Sequence, residues 1–131
     1  MVKKEKAEKI AETDLIIKDN ISYKRIPATN ILYCKAEGCY TMIYDIFGKK
    51  TTVSKPLKEI ENQLKRFSVF FRIHKSYLVN ISYINTYANG HKRIVILNDN
   101  TELPVAYRRT HLFIRYCANI FRKNIKFLIK K

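Results

Sequence analysis

The sequence predicts a mainly β domain with one internal and one C-terminal helix. Three observations carry that expectation. Apolar segments are short, rich in β-branched and aromatic residues, and bounded by turn residues, as at 31–35, 41–47 and 94–97. Segment 21–26 alternates apolar with polar, the period of a half-buried strand. Helical spacing of apolar residues is confined to two places, after Pro56 and after Thr110.

Along the chain, residues 1–13 are mostly helix formers with few apolar anchors, and read as a linker or short helix that frays in isolation. Leu15, Ile16 and Ile17 open the β region, which turns at Asp19-Asn20 into the 21–26 strand. Pro27 breaks that strand. The apolar strands 31–35 and 41–47 are separated around Gly38, and Gly48-Lys49-Lys50 makes a hairpin turn into 51–53. Pro56 suits the first position of a helix, where no N–H is needed. Leu57, Ile60 and Leu64 then recur on one side, with Lys58, Glu59, Glu61 and Lys65 on the other. Phe67, Phe70 and Phe71 return the chain to the core. Further strands fall at 84–87, 94–97 and 101–105, joined by Asn89-Gly90 and Asn98-Asp99-Asn100. Thr110 is the expected cap of a last helix with apolar rows Leu112, Phe113, Tyr116, Cys117, Ile120 and Phe121. The domain is therefore expected over 14–122, with a basic tail at 123–131.

A chain of 131 residues suits one domain, and 47% apolar content with nine tyrosines and seven phenylalanines can supply its core. No apolar run approaches the ~18 residues needed to cross a bilayer. The charged start lacks a signal core, and three cysteines, an odd number, suit a reducing cytoplasm. A cytoplasmic protein without a membrane partner is expected. Lys plus Arg number 26 against 11 Asp plus Glu, a net charge of +15. Such a field draws polyanions.

Catalysis finds no foothold. Cys34 and Cys39 are followed by no second pair at zinc-ligand spacing, and Cys34 and Cys117 fall on apolar rows. His91 and His111 lack acidic neighbours, carboxylates mostly sit beside lysines, and Gly38, Gly48 and Gly90 stand singly, so no phosphate loop exists. No catalytic residue, metal or cofactor is expected.

DNA binding asks for basic and hydrogen-bonding side chains on loops at one edge of a rigid scaffold. Segment 35–41 offers Lys35, Tyr40 and Thr41 around Gly38. Ser54 and Lys55 stand at the mouth of the internal helix, whose positive end suits phosphate. Segment 106–110 holds Tyr107, Arg108 and Arg109, and Arg can grip guanine or phosphate with two bonds. Each loop reads equally well as an exposed turn that is basic because the whole chain is basic.

Four segments in order resolve that tie. Residues 31–40 (ILYCKAEGCY) resemble the "D-I-x-Y-I-E-x-x-x-x-Y" segment of the LytTR family, the DNA-binding domain found mostly at the C-terminus of bacterial response regulators. Residues 56–61 (PLKEIE) resemble its "S-L-K-E-L-E" helix, and 103–109 (LPVAYRR) its "I-P-V-S-R-R" ending. Phe70-Phe71-Arg72-Ile73-His74-Lys75-Ser76-Tyr77-Leu78-Val79-Asn80 resembles the signature "F-x-R-x-H-[RKN]-S-[YF]-[IL]-V-N", the longest and most specific of the four.

The resemblance implies about ten short, largely antiparallel strands whose loops enter successive major grooves of double-stranded DNA. It implies base-reading positions at Tyr40, at Lys55 or Ser54, and at Tyr107 or Arg108. Pro56 replaces the serine often found at the helix start, and Ala106-Tyr107 replaces "S-R", so the guanine-gripping role is expected to pass to Arg108. Phosphate contacts are expected from Lys35, Thr41, Ser54, Arg72, Lys75 and Arg109. The signature is apolar enough to serve mainly the fold. His74 and Ser76 are expected to hydrogen-bond the backbone of a sharp turn, and Asn80 to tie that turn to its neighbour. The implied partners are repeated DNA half-sites, a second copy on DNA, and a receiver domain or sensor kinase upstream. The alternative is a basic RNA-binding or protein-interaction module.

Overall fold

A computed structural model describes residues 13–18, 22–120 and 129–130. Ten strands lie in antiparallel sheets, with two α-helices. The central sheet has five strands in the order β5-β4-β3-β7-β6: β3 (Ile31–Glu37), β4 (Tyr40–Asp45), β5 (Lys50–Val53), β6 (Phe70–His74) and β7 (Tyr77–Asn80). A hairpin of β1 (Asp14–Lys18) and β2 (Tyr23–Pro27) stands apart. A second sheet orders β8 (Ile84–Asn89), β9 (Arg93–Leu97) and β10 (Glu102–Pro104) as β10-β9-β8. The two-residue β11 (Ile129–Lys130) adds to β8 in parallel. Helix α1 (Leu57–Leu64) links β5 to β6, and α2 (Tyr107–Ile120) follows β10.

One face of the central sheet is covered along all five strands, and β3, β6 and β7 are covered on the other face as well, while β5 alternates buried with exposed. Cys34, Ile43, Val53 and Leu78 face one core with Leu15 and Ile17 of β1 and Leu57, Ile60 and Leu64 of α1. Ile73 and Val79 face the other, with Tyr87, Val95, Leu97 and Leu103 of the second sheet and Phe113 and Cys117 of α2. Adjacent Leu78 and Val79 thus enter different cores, as the period of two demands. Burial pushes the thiols of Cys34 and Cys117 up to about 12, so both behave as small core residues.

Several local expectations need correction. Pro56 sits one residue before α1, not in it: its ψ of 155° is extended, while its carbonyl accepts from Glu59 and Ile60 N–H. The last helix opens at Tyr107 rather than at a Thr110 cap, and Thr110 Oγ1 instead donates back to the Ala106 carbonyl at 3.2 Å. Leu112 is exposed, because the buried stripe of α2 runs through Phe113 and Cys117. Strand β2 begins at Tyr23, and residues 28–30 form a 3₁₀ turn instead of a simple break. Residues 1–12 of the linker and most of the basic tail lie outside the described residues.

Candidate nucleic-acid interface

Strand register places the signature turn and all three loops at one end of the central sheet. Glu37 pairs with Tyr40 at the tip of the β3–β4 hairpin, and Thr41 pairs with Val53, so the end of β5 and Ser54-Lys55 lie beside that tip. Lys35 pairs with Tyr77, and Ala36 N–H donates to the Ser76 carbonyl at 2.9 Å, which sets the β6–β7 turn on the other flank. Ala106 N–H donates to the Ile73 carbonyl at 2.8 Å, drawing the start of α2 to the same edge. Four chain segments far apart in sequence therefore form one rim.

The side chains on this rim divide into held and free. Tyr40 is 50% exposed at the hairpin tip, and Tyr107 is 73% exposed on the first turn of α2. Arg108, Lys75 and Ser54 are exposed and make no side-chain hydrogen bond or ion pair with the described residues. Lys35 pairs with Glu37 at 3.2 Å and Lys55 with Glu59 at 3.6 Å. Exposed pairs of this kind are worth ~0–1 kcal/mol, so a phosphate can replace the carboxylate. The hydrogen bond to Glu37 raises the Lys35 pKa, keeping its charge.

Three side chains expected at phosphate are engaged within the protein. Thr41 is wholly buried, and its Oγ1 donates to the Lys55 carbonyl at 2.8 Å, so it shapes the loop instead of meeting a ligand. Arg72 bonds Glu61 Oε1 at 2.6 Å through Nη1, the Lys75 carbonyl at 2.6 Å through Nη2 and the His74 carbonyl at 3.1 Å through Nε. That guanidinium staples the β6–β7 turn to α1. Arg109 Nε donates to the Arg72 carbonyl at 3.0 Å while its guanidinium lies 5.4 Å from the Phe71 ring centroid. It anchors α2 to β6.

His74 Nδ1 accepts the Ser76 N–H at 3.0 Å, closing the turn. Asn80, buried, donates from Nδ2 to the Ile31 carbonyl at 2.9 Å and accepts the Ser82 N–H at Oδ1 at 3.0 Å. It therefore joins β7 to β3 and caps the following 3₁₀ turn. Sequence reasoning missed Arg93 of β9, whose guanidinium lies 4.5 Å from the Tyr107 ring centroid and steadies that exposed ring. Its only signal was being basic in a basic chain. Between the β6–β7 turn and the start of α2 runs an open groove of about 540 Å³, lined by Lys75, His74, Tyr107 and Arg108 among others. Among the described residues no group of His, Cys, Asp and Glu could hold a metal ion, and no helix is long and apolar enough to cross a membrane.

The β scaffold brings several basic loops to one rim, with no helix-turn-helix among the described residues. The chain belongs to the LytTr DNA-binding domain family, whose model matches residues 22–117. It is 34% identical over 93 residues to an uncharacterised response regulatory protein of Vibrio cholerae, covering 67% of this chain and 35% of that protein. The chain thus spans about a third of that relative's length. Its fold matches the LytTr DNA-binding domain of a Bacillus cereus protein described as a methyl-accepting/DNA response regulator, with a TM-score of 0.67 and 17% identity. That match covers 82% of this chain and 98% of the other.

Proposed function

We propose that the domain binds double-stranded DNA sequence-specifically, as the output domain of a bacterial transcriptional regulator of the two-component response-regulator type. The convergence of the β3–β4 tip, Ser54-Lys55, the β6–β7 turn and the start of α2 on one rim carries this reading. Tyr40, Lys55, Tyr107 and Arg108 read base edges from successive major grooves. Lys35, Lys75 and Ser54 hold phosphates, with Arg72 and Arg109 fixing the turn and helix that present them. Two copies on repeated half-sites, governed by an upstream receiver domain or sensor kinase, complete the proposal. The relative's description as a response regulatory protein supports that setting.

Selection of duplexes from a random-sequence pool tests it. An enriched motif with recurrent half-site spacing is the expected result. Affinity should fall with salt: the phosphates neutralised by Lys35 and Lys75 give a slope of log K on log salt of about −1.8. Preference for structured RNA over every duplex, or a salt-independent affinity, would overturn the proposal.

A further inference from the structure

His74 of the signature turn carries a ring donor that no other described residue engages. Its Nδ1 accepts the Ser76 N–H at 3.0 Å, so in the neutral ring the proton resides on Nε2. Nε2 has no hydrogen-bond partner among the described residues, although the ring lines the open groove with Lys75, Tyr107 and Arg108. Tyr77 packs against one side of the imidazole, with ring centroids 5.7 Å apart, fixing its plane. The charged groups that line the groove with it are all cationic, Lys75 and Arg72 from its own hairpin and Arg108 and Arg109 from α2, with the Glu61 carboxylate held on the far side by Arg72 Nη1. Burial first, then Lys75 and Arg72, lower its pKa below 6.5, which keeps the ring neutral at physiological pH. The imidazole is thus a preorganised neutral donor whose tautomer is set by the turn it closes.

We propose that His74 donates its Nε2–H to an acceptor atom of the bound duplex, a neutral contact standing among charged ones. The inference rests on the DNA-binding reading above. Phosphate oxygens and purine edges both offer such acceptors, and the tests separate them.

His74→Asn keeps an oxygen near the position of Nδ1 for the Ser76 N–H but ends short of Nε2. It is measured on the duplex that the wild-type domain selects and on a shuffled duplex of equal composition. A five- to tenfold loss of affinity is expected, with an unchanged salt slope, because a neutral donor releases no counterion. Equal loss on both duplexes assigns the contact to phosphate; loss on the selected duplex alone assigns it to a base. Wild-type affinity on both would overturn the proposal, leaving His74 a turn residue only.

A readout on the unmutated protein guards against a misfolded variant. In nitrogen-detected imidazole spectra, the His74 Nε2–H signal should shift downfield and resist exchange when the selected duplex is added. No change at saturation would overturn the proposal. If the wild-type domain selects no duplex, the DNA-binding reading itself fails, which is visible before any His74 measurement.

Discussion

Thr41 Oγ1 donates to the Lys55 carbonyl at 2.8 Å from a side chain with no exposed surface. This bond ties the β3–β4 hairpin to the mouth of α1, so Tyr40 and Lys55 are held at a fixed separation by a residue that touches no ligand. Thr41→Val preserves shape but leaves the Lys55 carbonyl without its donor. A loss of about 1–2 kcal/mol in urea denaturation is expected. Binding to the selected duplex should weaken beyond the fraction unfolded, because the two loops lose their register. Unchanged affinity in the folded variant would mean that the loops position themselves independently.

Arg108 and Lys75 line the same groove and should fail differently when truncated. Arg108→Ala is expected to relax base preference at one position and cost ~1–3 kcal/mol on the selected duplex. Lys75→Ala should weaken all duplexes alike and reduce the salt slope by about one. Competition selections with both variants check this. A changed motif for the Lys75 variant would transfer base reading to the β6–β7 turn.

Arg72 makes three hydrogen bonds to Glu61, His74 and Lys75, and its side chain is 19% exposed. Arg72→Ala therefore acts on the scaffold. It should lower stability by about 1–3 kcal/mol, and Glu61→Gln by less, because the two carbonyl bonds survive. Chemical denaturation of both variants measures the difference. A salt slope shallower by about one for folded Arg72→Ala would show that its charge reaches DNA after all.

The fold was largely legible because its signals are local. Gly48, with a φ of +83°, marks the β4–β5 turn, and Leu57, Ile60 and Leu64 declare α1 by spacing alone. The site was legible only as segments. Arg72, Lys75 and Arg109 look alike in sequence, yet Arg72 turns to Glu61 of α1 and to the carbonyls of its own turn, Arg109 turns to the Arg72 carbonyl of β6, and Lys75 has no such partner among the described residues. Which cation is free depends on tertiary partners, and no short motif encodes them. Thr41 shows the same limit: an alternating strand leaves its facing undecided until β5 pairs beside it. Arg93 was invisible because its partner Tyr107 lies on a different element.

Arg93 offers a test of that hidden positioning. Arg93→Ala should leave stability nearly unchanged, since the contact lies at the surface, where cation–π pairs contribute ~0.5–1 kcal/mol. Preference at one motif position should blur, and Tyr107→Ala should produce the same motif change if Tyr107 reads a base as proposed. Arg93→Lys should restore it in part. If the Arg93 and Tyr107 variants alter different motif positions, the two side chains do not act together.

The turn's dependence on neutral His74 makes stability sensitive to acid. Its pKa in the folded protein lies below the ordinary 6.5, through burial first and then the charges of Lys75 and Arg72. Between those two values the unfolded chain binds more protons than the folded one, so stability rises with pH there. The contribution is complete above about pH 6.5 and is lost as pH falls through the lowered value. Protonation also places a hydrogen on Nδ1, where the Ser76 N–H already points, so the turn should open as the ring charges. The urea midpoint of the wild-type domain is expected to fall between about pH 7 and pH 5.5, and that of His74→Asn to fall less. Parallel curves for the two proteins would assign the acid sensitivity to groups other than His74.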